Sequence, residues 1–129
     1  MPITIDLREN GRVIYAVFVY PYDLADATTG SAKEKELRDK TGGIIHSLLN
    51  VAAAGRPPNQ VLRAARQGPS LVHPTRGKIA VVGANLFSQT IVQLASKLAR
   101  HGDTIYFFKT EDEAWAFLRK VIAEESGHA

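Results

Sequence analysis

The chain of 129 residues contains no cysteine. That one absence excludes disulfides, thiolate zinc sites, iron–sulfur ligation and a cysteine nucleophile. It also suits a reducing compartment, so a cytoplasmic protein is expected. No apolar run approaches the roughly 20 residues that cross a bilayer, so a transmembrane protein is not expected. Met1 to Asn10 alternates like a strand and does not read as a signal peptide. Acidic residues are missing from a long stretch: between Lys40 and Gly102 there are eight Lys or Arg and no Asp or Glu. Two accounts stay open, an apolar core that excludes carboxylates or a surface that meets an anion or an acidic partner. The basic residues form no dense run, and Phe87 is their only aromatic neighbour, so no nucleic-acid partner is expected. The histidines, His46, His73, His101 and His128, include no i,i+3 or i,i+4 pair, and no metal is expected. Gly83-Ala84-Asn85 lacks both phosphate-loop spacings, so no nucleotide cofactor is expected.

What is present centres on Lys78 to Asn85. Ile79 to Gly83 is a run of small or β-branched residues, read as a strand buried on both faces. A small-residue turn follows, with Asn85 as N-cap of a helix from Leu86 to Arg100. Phe87, Ile91, Leu94, Ala95 and Leu98 share one face of that helix, and Gly102 stops it. Strand, tight turn and helix form the unit of an α/β domain, and the length suits a single one.

Ile3, Ile5 and Leu7 alternate with polar residues, a strand with one wet face. Asn10-Gly11 suits a two-residue hairpin turn. Arg12 to Tyr20 is apolar on both faces and belongs inside the sheet, with the first strand at an edge open to self-association as a homodimer. Tyr22 to Gly30 reads as a loop, and Ser31-Ala-Lys-Glu34 as the capping box of a charged surface helix. Glu34–Arg38 and Glu36–Lys40 are its i,i+4 pairs, Leu37 its one large apolar anchor, and Gly42-Gly43 its close. Ile44 to Val51 fits either a helical stripe or a buried strand. The flanking glycines and prolines favour the strand. Pro58 then opens a helix carrying Val61, Leu62 and Ala65 that ends near Gly68, and Leu71 to Gly77 is a connection. Thr104 to Phe108 reads as a short buried strand and Thr110-Glu-Asp-Glu113 as another capping box. The last helix buries Ala114, Phe117, Leu118 and Val121, with Trp115 beside them as packing, and Glu124 to Ala129 should fray.

Three stretches carry a family likeness: Leu48-Leu49-Asn50-Val51 with Pro57 to Arg63, His73 to Asn85, and Phe107 to Leu118. Over residues 44 to 120 the chain resembles the bacterial STAS-like proteins, relatives in fold of the sporulation anti-sigma-factor antagonist and of small domains grouped with the CRAL-TRIO lipid binders. The resemblance implies a single-domain α/β fold, a mixed five-stranded sheet with an N-terminal β-hairpin and helices packed against it. It also implies a protein that binds a protein partner and is switched by phosphorylation of a serine that follows an aspartate. Here Asn50 stands in the aspartate's place, and Val51 to Gly55 contains no Ser or Thr, so the switch does not carry over. Ser47 falls within the strand and is no substitute.

In open α/β folds a cleft lies beyond the carboxyl ends of the strands. The turns expected there, Asn50 to Pro58 and Gly83 to Ser88, hold no Asp, Glu, His, Lys or Tyr. They offer Asn50, Arg56, Asn85, Ser88 and Gln89, which can hydrogen-bond an anion but supply no base. A proton-transfer site would need a carboxylate or imidazole brought in against a hydroxyl. The expectation is a non-enzymatic interaction module, with Asn50, Arg56, Arg63, Arg66, Asn85 and Ser88 as binding residues. The alternatives are a domain for a small anionic or lipid ligand and an enzyme with an unrecognised site.

Overall fold

The structure is a computed structural model that describes residues 2–55, 76–85 and 105–127. The expected helices from Pro58 and from Leu86 and the glycine stop at Gly102 lie outside these residues. The elements are β1 (Ile3–Arg8), β2 (Val13–Val19), α1 (Leu24–Thr41), β3 (Ile45–Ala53), β4 (Arg76–Val82), β5 (Ile105–Phe108) and α2 (Glu111–Gly127). The strands form one five-stranded sheet in the order β1-β2-β3-β4-β5. β1 and β2 pair antiparallel, and the other neighbours pair parallel. The expected mixed α/β sheet with its N-terminal hairpin is therefore found.

Alternation decides which helix each strand residue meets. Ile14 and Ala16 join Ile3, Ile5 and Ile45 in one buried cluster, against which Ala27 and Leu37 of α1 pack. Val13, Leu48, Ala80 and Val82 join Ala114 and Leu118 of α2 in a second. β2 thus buries both faces, as its unbroken apolar run requires. β4 does the same, with Ile79, Ala80, Val81 and Val82 all buried. Burying a side chain such as Leu118 contributes about 1.5–3 kcal/mol. β5 is only half-buried along its length, where a buried strand is expected.

Several local expectations are corrected. The hairpin connection runs over four residues, because Arg8 pairs with Val13. Glu9, Asn10 and Gly11 all have positive φ, and Gly11 and Arg12 both donate to the Arg8 carbonyl. Residues 24–30 are helix rather than loop. Asp23 caps α1 and exchanges capping-box bonds with Asp26, so the chain is already helical where Ser31 stands. Gly30 marks a close approach and not a turn: a Cβ there would sit 3.3 Å from Ile3 Cγ2 of β1. β4 begins at Arg76, three residues before the expected strand at Ile79. α2 is helical as far as Gly127, past Glu124, where fraying is expected to begin.

The charged outer face of α1 is as expected. Lys35–Asp39 and Glu36–Lys40 pair at 2.7 and 2.9 Å over a shallow, open depression. Arg38 departs from that pattern. It is only 1% exposed and turns under the helix onto β3. Its Nη1 donates to the Ile45 carbonyl at 2.8 Å, and its Nη2 donates to Ser47 Oγ at 2.7 Å and to Glu34 Oε1 at 3.1 Å.

Candidate functional site

β3 carries Asn50 toward its carboxyl end, on the face that α2 covers. The Asn50 amide is divided between two internal partners. Its Oδ1 accepts from the Ala52 N–H at 3.0 Å, which shapes the end of the strand. Its Nδ2 donates to Glu111 Oε2 at 2.5 Å. Glu111 is the first residue of α2, where a carboxylate also suits the positive end of the helix. The same Oε2 accepts from the Tyr15 hydroxyl of β2 at 2.6 Å. Oε1 accepts from Trp115 Nε1–H, one helical turn on, at 3.3 Å. The rings of Tyr15 and Trp115 lie 5.6 Å apart, with the Arg8 guanidinium 4.8 Å from the first and that of Arg119 5.5 Å from the second.

A carboxylate from elsewhere in the fold thus stands against a hydroxyl at the crest, which the strand-end turns alone do not contain. Its electrostatics decide what it can do. Burial raises the Glu111 carboxyl, but the bonds from Tyr15, Asn50 and Trp115, together with the Arg8 charge, outweigh burial and hold it below the ordinary value of 4.5. Burial, the bond to Glu111 and the Glu111 charge push the Tyr15 hydroxyl up to about 12. At neutral pH the carboxylate is charged and accepts from three internal donors, and the phenol keeps its proton. The pair is a brace, a poor base beside a poorer acid.

That brace has a pH signature. A depressed carboxyl stabilises the fold above its ordinary value of 4.5, and the contribution is lost as the pH falls from there through the folded value. Tyr15→Phe removes one charge-assisted bond and should lower unfolding free energy at pH 7 by about 1.5–3 kcal/mol. The gap from wild type should shrink toward pH 3. Urea midpoints at both pH values check this, and an equal gap at both would assign the loss to packing.

The β3–β4 end is closed as tightly. Gly83 has φ +80°, and a Cβ there would lie 2.6 Å from Ala52 Cβ, so the ends of β3 and β4 approach closely at this point. The Gly83 N–H donates to the Phe108 carbonyl at 3.1 Å. Asn85 is exposed just beyond. Arg56, Arg63, Arg66 and Ser88 lie outside the described residues, so of the expected binding residues only Asn50 and Asn85 are placed. Among the described residues no group of three or more His, Asp or Glu side chains could hold a metal ion. No described helix is long and apolar enough to cross a membrane.

At the opposite end of the sheet, His46 lies at the start of β3, as expected, and faces α2. It is 2% exposed. The β3–β4 register slips here, with Ile45 opposite Arg76 but Ser47 opposite Ile79. The irregularity frees the Lys78 N–H from the ladder, and it donates to His46 Nδ1 at 2.9 Å. His46 Nε2 lies 2.8 Å from Glu125 Oε1, and Arg12 Nη2 donates to Glu125 Oε2.

Sheet order and hairpin together define a small α/β domain built on a mixed five-stranded sheet. The NMR structure of the protein TM1081 has this fold, matching with a TM-score of 0.55 over 89% of this chain and 86% of that one. The two are 14% identical, so the likeness is one of fold. No protein-family model and no curated protein matches the chain.

Proposed function

We propose that the chain is a non-enzymatic protein-interaction module of STAS-like type, working without a phosphorylated serine. The observation that carries this reading is the crest carboxylate occupied by internal donors. Glu111 accepts from three donors, and its shift and that of Tyr15 both run away from neutrality. Acid–base catalysis needs the reverse, a group poised near the working pH and open to substrate. Asn50 serves the crest from within, so recognition falls to the cationic residues that follow it in the chain, Arg56, Arg63 and Arg66, together with Asn85 and Ser88. Their uniform charge suits an acidic protein surface.

Affinity capture from the host tests this, comparing wild type with Arg56→Glu/Arg66→Glu. The double variant should recover at least tenfold less of whatever protein wild type enriches. Equal recovery would return the basic block to an ordinary solvated surface. A thermal-shift screen with anionic metabolites and lipid vesicles should show no stabilisation. A concentration-dependent rise in Tm with one of them would transfer the function to a small anionic ligand.

A further inference from the structure

We infer that His46 is an acid-operated latch: a second proton on its ring parts the C-terminal half of α2 from the sheet while α1 stays docked. The ring is gripped at both nitrogens. Because the Lys78 backbone N–H donates to Nδ1, the one ring proton of the neutral form sits on Nε2 and points at Glu125. A second proton has only Nδ1 to occupy, where it would face a backbone N–H, donor against donor. The ring cannot shift sideways into other bonding, because it fills the notch left by Gly77, where even a Cβ would come within 2.3 Å of Nδ1. Relief comes from the ring leaving the notch, and Glu125 leaves with it.

Among the described residues the charges facing the ring are one anion and two cations. Glu125 comes from α2, Arg12 from the turn before β2 and Lys78 from β4, whose Nζ donates to the Tyr106 hydroxyl of β5 at 3.3 Å. Glu125 is shared with Arg12, so it is not a free counter-ion for an imidazolium. Burial first, then Arg12 and Lys78, hold the ring below its ordinary value of 6.5 against the pull of Glu125. The neutral ring therefore stabilises the closed form fully above that value, and the contribution is lost as the pH falls below it. Opening is local because α2 has separate anchors: Glu111 on Tyr15 and Asn50 at its start, and Ala114 and Leu118 in the core. The inference does not depend on what the protein binds.

Amide hydrogen exchange on the full chain, expressed as protection factors at pH 8 and pH 5, tests it. The chain would carry His128→Ala, which removes the other imidazole near that end. Protection in 119–127 should fall at least tenfold at pH 5, while 24–41 changes less than twofold. In His46→Asn, whose amide oxygen can take the Lys78 N–H without titrating, protection in 119–127 should be the same at both pH values. Unchanged protection in the His128→Ala chain, an equal loss in 24–41, or pH dependence that persists in His46→Asn would each overturn the latch. Should His46→Asn fail to fold, the imidazole 15N titration of the parent decides. Nδ1 must gain its proton over the same pH range in which 119–127 loses protection, and separate ranges would overturn the proposal.

Discussion

Replacing Arg38 by methionine is expected to lower the unfolding free energy by about 3–5 kcal/mol, the usual cost of removing one partner from a buried charged network. The guanidinium is 1% exposed, and the change removes the donor that Arg38 supplies to the Ile45 carbonyl and to Ser47 Oγ beneath α1. Glu34, at 16% side-chain exposure, would lose its counter-ion with little water to replace it. Lysine should rescue poorly, because one ammonium cannot reach three acceptors in the planar fork that Arg38 presents. Adding Ser47→Ala to Arg38→Met should recover part of the loss, since the pair share an interaction and their effects will not add. Urea unfolding followed by far-UV circular dichroism measures all four chains. A loss below about 1 kcal/mol for Arg38→Met would place Arg38 among ordinary surface ion pairs.

Gly83→Ala should be comparably harmful for a different reason. A residue with a side chain at φ +80° costs about 1–2 kcal/mol, and forcing a methyl into a packed site about 1–3 kcal/mol more. The atoms in the way are the Cβ of Ala52 at 2.6 Å and its Cα at 2.7 Å, so the neighbouring backbone must move. Ala52 is the residue whose N–H is held by Asn50, and Asn50 holds Glu111. The expected result is a total loss of about 2–5 kcal/mol, with a shift in the Asn50 side-chain amide resonances. Unchanged resonances beside a large loss would separate the closed strand end from the brace.

The strands were legible because their signal is local. The two-faced run in β2, the small apolar run in β4 and the glycine- and proline-bounded β3 each declare a buried ribbon without reference to the rest of the chain. α1 is longer than the expected helix because Gly30, the last residue of the expected loop, answers to the approach of Ile3, a residue 27 positions earlier. Arg38 sits in a run of charges whose i,i+4 spacing explains it fully, and burial leaves no trace in that pattern. The candidate site was half readable. Asn50 was placed at the right end of the right strand, but its main partner comes from 61 residues further along and is delivered by topology. An acidic first turn is a common helix signal, and it masked the separate task of Glu111. The four residues at one bulge, Arg12, His46, Lys78 and Glu125, are too far apart in the chain to form any motif.

Trp115 is the only tryptophan in the chain. Its indole lies against Tyr15, beneath Arg119 and bonded to Glu111, all on the side of the sheet that α2 covers. Its emission therefore reports on one layer of the molecule. The layer beneath α1, with Phe18 and Tyr22, is silent when excitation is set at the red edge of tyrosine absorption. Steady-state fluorescence alone can thus tell when a partner, a denaturant or a substitution loosens α2, whatever happens beneath α1.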